Sequence, residues 1–202
     1  MSNRVITISR QFGSGGRTIG KEVASILGIP CYDQELIELF AKESGFSENM
    51  VTYLDEHSAK RTLFSDRADS ARQDAYLQRV LWASQEKAIL ELAQQGPCVI
   101  VGRCAGHILR DANCLRAYIH AEEAFRAKRN IEVYGDTHEE PLQRIRDKDK
   151  HRKEYYQRYT GKKWGDAANF HIALDSGALG IDTCVNILAH LKNLNTKYEL
   201  PS

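Results

Sequence analysis

Gly13, Ser14, Gly15, Gly16, Arg17 and Thr18 stand together just after the β-branched run Val5-Ile6-Thr7-Ile8. Glycines at 13, 15 and 16 let the backbone turn so that successive amide N–H groups point inward at one anion. Ser14 adds a hydroxyl donor, and Arg17 and Thr18 bring a cation and a second hydroxyl to the same place. The chemistry suited to such a set is the holding of a phosphate chain. Against the phosphate-loop pattern G-x-x-x-x-G-K-[ST], Gly16-Arg17-Thr18 fill the last three positions with arginine for lysine, and Gln11 stands where the first glycine belongs. Arg17 keeps positive charge near the β- and γ-phosphates as a planar fork rather than a point charge. Thr18 keeps the hydroxyl that a magnesium ion would use. The plain alternative is a glycine-rich turn that only joins a strand to a helix.

A second basic group lies far along the chain. Arg103 follows Gly102 directly after the apolar run Cys98-Val99-Ile100-Val101, so its fork can reach past a strand end and bind phosphate bidentately; a surface ion pair is the other reading. Between Arg144 and Lys163, nine basic residues stand against three acids, Asp147, Asp149 and Glu154. A solvated helix face with i,i+4 pairs such as Asp149 to Lys153 is the default. The sharper reading is a lid, because Arg146 and Lys153, and Arg152 and Tyr159, are seven apart and share a helix face. Phosphoryl transfer is catalysed mainly by positioning and charge neutralisation, so a phosphate loop needs arginines that arrive on closure. Tyr155, Tyr156, Tyr159 and Trp164 either stack on a base or pack a core. Seven histidines show no metal-ligand spacing and are read as structural.

The elements that must position these groups follow from periodicity. Val5–Ile8 reads as a buried strand and the stretch from Arg17, with Ile19, Val23, Ile26 and Leu27, as a helix. Cys31-Tyr32 is a brief strand ending at Asp33, and a helix with Leu36, Ile37, Leu39 and Phe40 follows. Residues 46–68 suggest short helices over a cleft, and Asp69 to Gln95 one long helix stopped by Gly96-Pro97. Strands at 98–101, 115–119 and 172–174 alternate with helices at 105–109, 121–133, 142–159 and 181–194, the third of these closed by Gly161; a frayed tail runs from Asn195. Alternation of this kind predicts an α/β fold with a parallel, doubly wound sheet, in which the loop after Ile8, Asp33, Arg103 and Asp175 converge beyond the strand ends.

At 202 residues and a net charge of +1, one compact core is expected, without global steering toward nucleic acid or anionic membrane. Five scattered cysteines without a C-x-x-C pair predict reduced thiols and a cytoplasmic location. No leader-like segment precedes Val5, and no apolar stretch approaches membrane-spanning length, so membrane attachment is not expected. Oligomeric state is left open.

Three segments carry a family resemblance: Ser9-Arg10-Gln11-Phe12-Gly13-Ser14-Gly15-Gly16, Val99-Ile100-Val101-Gly102-Arg103-Cys104-Ala105, and Asp149-Lys150-His151-Arg152-Lys153-Glu154-Tyr155-Tyr156 running on to Thr160-Gly161-Lys162-Lys163-Trp164-Gly165-Asp166. In this order the chain resembles the cytidylate kinase-like proteins of the nucleoside monophosphate kinase group. The resemblance implies a single P-loop NTPase-type kinase domain over 1–202, with a helical acceptor-side region at about 33–95 and a lid at about 139–166. It implies transfer of the γ-phosphoryl group of ATP to CMP or dCMP with Mg2+. Gly13 to Thr18 match the donor loop, with Thr18 toward the metal, and Arg103 matches the acceptor-phosphate arginine. Arg146 and Arg152 resemble lid arginines and join Arg17 as catalytic charges, while Asp33, Tyr155 and Tyr156 fall on the acceptor side. The chain departs from established cytidylate kinases at Val101, where they carry an acid, and at Gln34, where they carry serine. Val101 removes one expected magnesium partner, which leaves Thr18, water and Asp33 for the shell. The alternatives are a P-loop kinase of another small metabolite and a non-catalytic nucleotide-binding sensory module.

Overall fold

The computed structural model describes residues 5–33, 35–51, 68–135, 137 and 140–193. Val5–Arg10 forms strand β1, Gly16–Leu27 helix α1, Cys31–Tyr32 strand β2 and Glu35–Ser44 helix α2. Ala68–Gln95 is the long helix α3, followed by β3 (Val99–Val101), the one-turn α4 (Ala105–Ile108), β4 (Cys114–His120) and α5 (Glu123–Tyr134). Pro141–Thr160 is the basic helix α6; β5 (Ile172–Asp175), the short α7 (Ser176–Leu179) and α8 (Ile181–Asn193) follow it. Of the short helices expected over 46–68, residues 48–51 are helical and the rest lies largely outside the described residues, as does the tail from Asn195.

The sheet has five strands in the order β2-β3-β1-β4-β5, every neighbouring pair parallel. β1 is central, with Ile6 beside Val99 and Leu115, and Ile8 beside Val101 and Ala117. Its β-branched residues suit a strand covered on both faces. On one face Ile6, Ile8 and Val101 meet Ile19 and Val23 of α1 and Leu188 of α8. On the other, Val5 and Ile100 meet Phe40 of α2 and Ile89 and Leu92 of α3. Because all strands run one way, Arg10, Asp33, Gly102, His120 and Asp175 reach the same edge of the sheet, the expected place for a ligand. The basic helix runs one residue beyond the expected 142–159 at each end: Pro141 opens it and Gly161, at φ 68, closes it as expected, with an N–H donated to the Gln157 carbonyl. Among the described residues no helix is long and apolar enough to cross a membrane.

Close approach of α1 to the sheet sets where its N-terminus, and so the loop, lies. A Cβ on Gly20 would sit 2.8 Å from Val101 Cγ2 and 3.4 Å from Ile8 Cδ1. Gly20→Val is expected to overpack this contact and lower stability by about 1–3 kcal/mol in urea denaturation. Unchanged stability would show that α1 stands further from the sheet.

Candidate active site

β1 gives way at Gln11 to a turn that enters α1 at Gly16, with Gly13 and Gly15 both at φ 79. Only glycine takes this left-handed backbone without steric cost. Space is also short: a Cβ on Gly13 would lie 2.7 Å from the Arg126 carbonyl oxygen. Gly15 is the N-cap of α1 and makes no side-chain cap bond, so first-turn amides remain for an anion. Ser14 departs from expectation. Its hydroxyl is fully buried, 2.9 Å from the Gln11 carbonyl oxygen and 3.1 Å from that of Ile119, and so braces the loop against β4 instead of donating to a ligand. Gln11 acts similarly, its side-chain oxygen accepting from the Ala121 amide at 3.1 Å.

The cations meet at the strand ends. Arg17 turns its Nε to Asp33 Oδ2, and the Arg10 Nη2 lies 3.5 Å from Asp33 Oδ1. Asp33 is thus a buried carboxylate shared by two guanidinium groups. Arg10 itself was not among the expected site residues. A Cβ on Gly16 would lie 2.6 Å from Arg10 Cβ and 2.9 Å from its Cγ, and one on Gly102 would lie 2.9 Å from its Cζ. Strand parity is the signal that points to it: Arg10 shares the Ile6 and Ile8 face of β1, the face turned to α1. Burial first, then Arg152, lowers the Arg10 guanidinium to about 9; Arg103 and Arg17 act the same way and Asp33 opposes them. Arginine still keeps its proton at neutral pH, and only the part of the shift that comes from Arg152, Arg103 and Arg17 is one that a bound anion would relieve.

Arg103 stands where expected, on strained backbone. Arg103 and Cys104 have φ of 56° and 53°, left-handed values that cost a non-glycine residue about 1–2 kcal/mol each. Gln85, buried on α3, holds the turn: its Nε2 donates to the Arg103 carbonyl at 3.0 Å and its Oε1 accepts from the Tyr155 hydroxyl at 2.8 Å. The bend of β3 is thereby tied to α6.

α5 inverts the usual pattern, because its buried residues are Arg126, Arg129 and Asn130, whereas Ile131 and Val133 are exposed. Burying two arginines is unfavourable unless they are paired. Arg129 donates from Nη2 to Thr18 Oγ1 at 2.9 Å, and its guanidinium leans over Gly15. Arg126 donates to the Phe12 carbonyl at 3.0 Å and to Asp149 Oδ2 at 2.6 Å. Asp149 Oδ1 accepts from the Phe12 amide at 2.7 Å, so one carboxylate of α6 binds both loop and α5. The expected pairing of Asp149 with Lys153 is displaced by these contacts, since a buried guanidinium and an amide hold the carboxylate better than an exposed lysine. The Phe12 ring lies under Arg144 and Arg152, at 6.0 and 5.4 Å. Arg152 donates to the Arg10 carbonyl at 3.0 Å and enters the site. Arg146 does not: it is exposed and pairs with Glu123 at 2.8 Å. The sequence signal for the arginines of α5 is their i,i+3 spacing; Asp149 has none, being one of three acids in the basic run.

Beside these parts, at the ends of β1 and β3 and against α6, lies a cavity of about 400 Å3. Arg10, Arg103 and Arg152 line one part of it, and Arg116, His107 and Phe170 also contribute to the wall. Tyr155, Tyr156 and Trp164 line it too, whereas Tyr159 stacks on Trp82 of α3 at 4.3 Å and belongs to the packing. Burial and then Arg110 lower His107 below its usual range, so it is a neutral imidazole at pH 7. Two histidines, His107 and His151, thus join a site in which none was expected.

Residues 5–178 match the cytidylate kinase-like family. The chain belongs to that family. It is 30% identical over 174 residues to a cytidylate kinase of Pyrococcus horikoshii, covering 85% of this chain and 79% of that protein. To a cytidylate kinase of Pyrobaculum calidifontis it is 26% identical over 198 residues, 96% of each. A solved structure of an uncharacterized protein from Eubacterium ventriosum aligns with a TM-score of 0.68 at 27% identity, covering 94% of this chain and 99% of that one. Shikimate kinase from Acinetobacter baumannii, at 14% identity and a TM-score of 0.53 over 96% of this chain and 95% of its own, shares the fold. This cytidylate kinase-like protein is a nucleotide-binding phosphotransferase with a P-loop kinase fold, of the nucleoside monophosphate kinase type, with ATP as co-substrate.

Kinases of this type work with a divalent metal. The Thr18 hydroxyl, expected to face that metal, accepts from the Arg129 guanidinium at 2.9 Å and lies 3.4 Å from the Tyr134 hydroxyl, which leaves one lone pair of its oxygen. Asp33 already faces Arg10 and Arg17. Among the described residues no three His, Cys, Asp or Glu side chains cluster as a metal site.

The Asp149 to Arg126 pair is nearly excluded from solvent, at 15% and 4% side-chain exposure. Asp149→Ala leaves the guanidinium buried without its partner and is expected to cost about 3–5 kcal/mol in a denaturant titration. A loss under about 1 kcal/mol, the range of exposed pairs, would contradict the buried latch.

Proposed function

We propose that the protein transfers the γ-phosphoryl group of Mg-ATP to a cytidine monophosphate, CMP or dCMP. The observation that carries this reading is a cavity walled by Arg10, Arg103 and Arg152 at the end of β1, the strand that the glycine-rich loop connects to α1. Its volume of about 400 Å3 lies within the range of small-ligand sites, which is about 300–1,000 Å3. In this assignment the amides of Gly13 to Thr18 hold the donor phosphates, with Arg129 above them. Arg103 and Arg152 hold the acceptor phosphate. Tyr155, Tyr156 and neutral His107 face the nucleoside. The attacking oxygen belongs to an ionised phosphate monoester, so no general base is needed. It forms a bond to the γ-phosphorus as the bond to the β,γ-bridging oxygen breaks, and ADP carries that electron pair away. What remains for the protein is to align two repelling phosphates and to neutralise them.

ADP formation from Mg-ATP is expected to rise when CMP or dCMP is added, more than with AMP, GMP or UMP. Arg103→Ala is expected to raise KM for the acceptor at least tenfold, consistent with loss of a charge-assisted contact of about 1.5–3 kcal/mol. Absence of stimulation by any nucleoside monophosphate would refute this function, and a panel of sugars and acids would then identify another acceptor.

A further inference from the structure

We infer that Arg10, not Arg17, supplies the cation that a phosphate loop ordinarily takes from its lysine. The inference rests on the phosphoryl-transfer reading above and adds a catalytic residue to it. In the loop pattern the lysine directly after the last glycine reaches the β- and γ-phosphates. Arg17 holds that place in the sequence, but its guanidinium is turned to Asp33. The sector that a side chain on Gly16 would fill is taken by Arg10, whose Cβ and Cγ lie 2.6 and 2.9 Å from where the Gly16 Cβ would be. From there, beside the first residue of α1, its chain runs toward the end of β3. Its guanidinium rests against Gly102, with Cζ 2.9 Å from a Cβ placed there.

Arg10 therefore lies between the amides that face the donor and Arg103, assigned to the acceptor. That is where the transferring group must pass. Three contacts fix it: Asp33 Oδ1 at 3.5 Å from its Nη2, Arg152 donating to its carbonyl at 3.0 Å, and the backbone surfaces of Gly16 and Gly102. A preset cation of this kind needs no rearrangement as charge builds on the equatorial oxygens, and such groups do most when transition-state charge is greatest. Asp33 has a different part. By holding Arg10 and Arg17 on its two oxygens, it orients the first and occupies the second.

The test compares Arg10→Gln, Arg10→Lys and Arg17→Gln, each first shown to melt cooperatively. With saturating Mg-ATP and acceptor, Arg10→Gln is expected to lower kcat by about 10²–10³, as removal of one preorganised donor does. Arg10→Lys, which keeps the charge, is expected to retain at least a tenth of wild-type kcat, and Arg17→Gln to lose less than tenfold. Calorimetry with ATP and with ADP gives a readout that needs no acceptor. Arg10→Gln is expected to weaken ATP binding at least tenfold more than ADP binding. If Arg10→Gln does not fold, Gly102→Ala, which displaces the guanidinium and leaves the arginine, is measured in its place with the same expectations. Equal loss in Arg10→Gln and Arg10→Lys, a larger loss in Arg17→Gln, or unchanged ATP preference would overturn the inference. A wild-type protein that binds ATP through Arg10 yet phosphorylates no nucleoside monophosphate would refute the acceptor assignment alone.

Discussion

Arg10 packs across Gly16 and against Gly102, and this contact fixes the charge layout of the site. Any side chain at either glycine would expel the guanidinium from the crest of the sheet. With Arg10 in place, Asp33 has a partner for each oxygen, Arg17 is drawn to the side, and Arg152 can reach over to the Arg10 carbonyl. Burial first, and the neighbouring arginines after it, make this arrangement unfavourable by itself and lower the Arg10 pKa. Charges of one sign held close in a partly dry site are the usual mark of a place built for the opposite charge.

Helix packing serves the same end. α5 buries arginines where an ordinary helix would bury leucines, and its exposed face carries Ile131 and Val133. Asp149 makes this tolerable by neutralising Arg126 and accepting the Phe12 amide. The loop, α5 and α6 are therefore joined in one hydrogen-bonded body. At β3 the left-handed pair Arg103 and Cys104 stores local strain, which the buried Gln85 bridge to Tyr155 holds in place. Strained backbone beside a cluster of arginines accords with a site whose groups are set before the ligand arrives.

Much of the fold was legible because the relevant signals are local. β-branched runs mark β1 and β3, helical spacing marks α1 and α8, and Gly161 ends α6 where it was expected to. Parallel pairing then follows from alternation, and with it the convergence of Asp33 and Arg103. Side-chain direction was less legible. Ser14 was read as a donor to ligand, but the turn carries its hydroxyl inward to two carbonyls. Arg146 and Arg152 looked equivalent on a helix charged all round, and only the docking of α6 separates the one paired with Glu123 from the one in the cavity. Arg10 sits in a strand, outside the loop pattern, and only its parity with Ile8 places it under α1. Asp149 and Arg126 are 23 residues apart, and nothing in a local pattern pairs them.

The most direct measurement is a crystal structure with a bisubstrate analogue, adenosine and cytidine joined through their 5′ oxygens by a phosphate chain. The account predicts that the chain runs from the amides of Gly13 to Thr18 to the guanidinium groups of Arg103 and Arg152. The Arg10 guanidinium should contact the phosphate that stands for the transferring group, with cytidine under Tyr155 and Tyr156. A phosphate chain that bypasses Arg10, or an analogue bound with its cytidine outside this cavity, would contradict it.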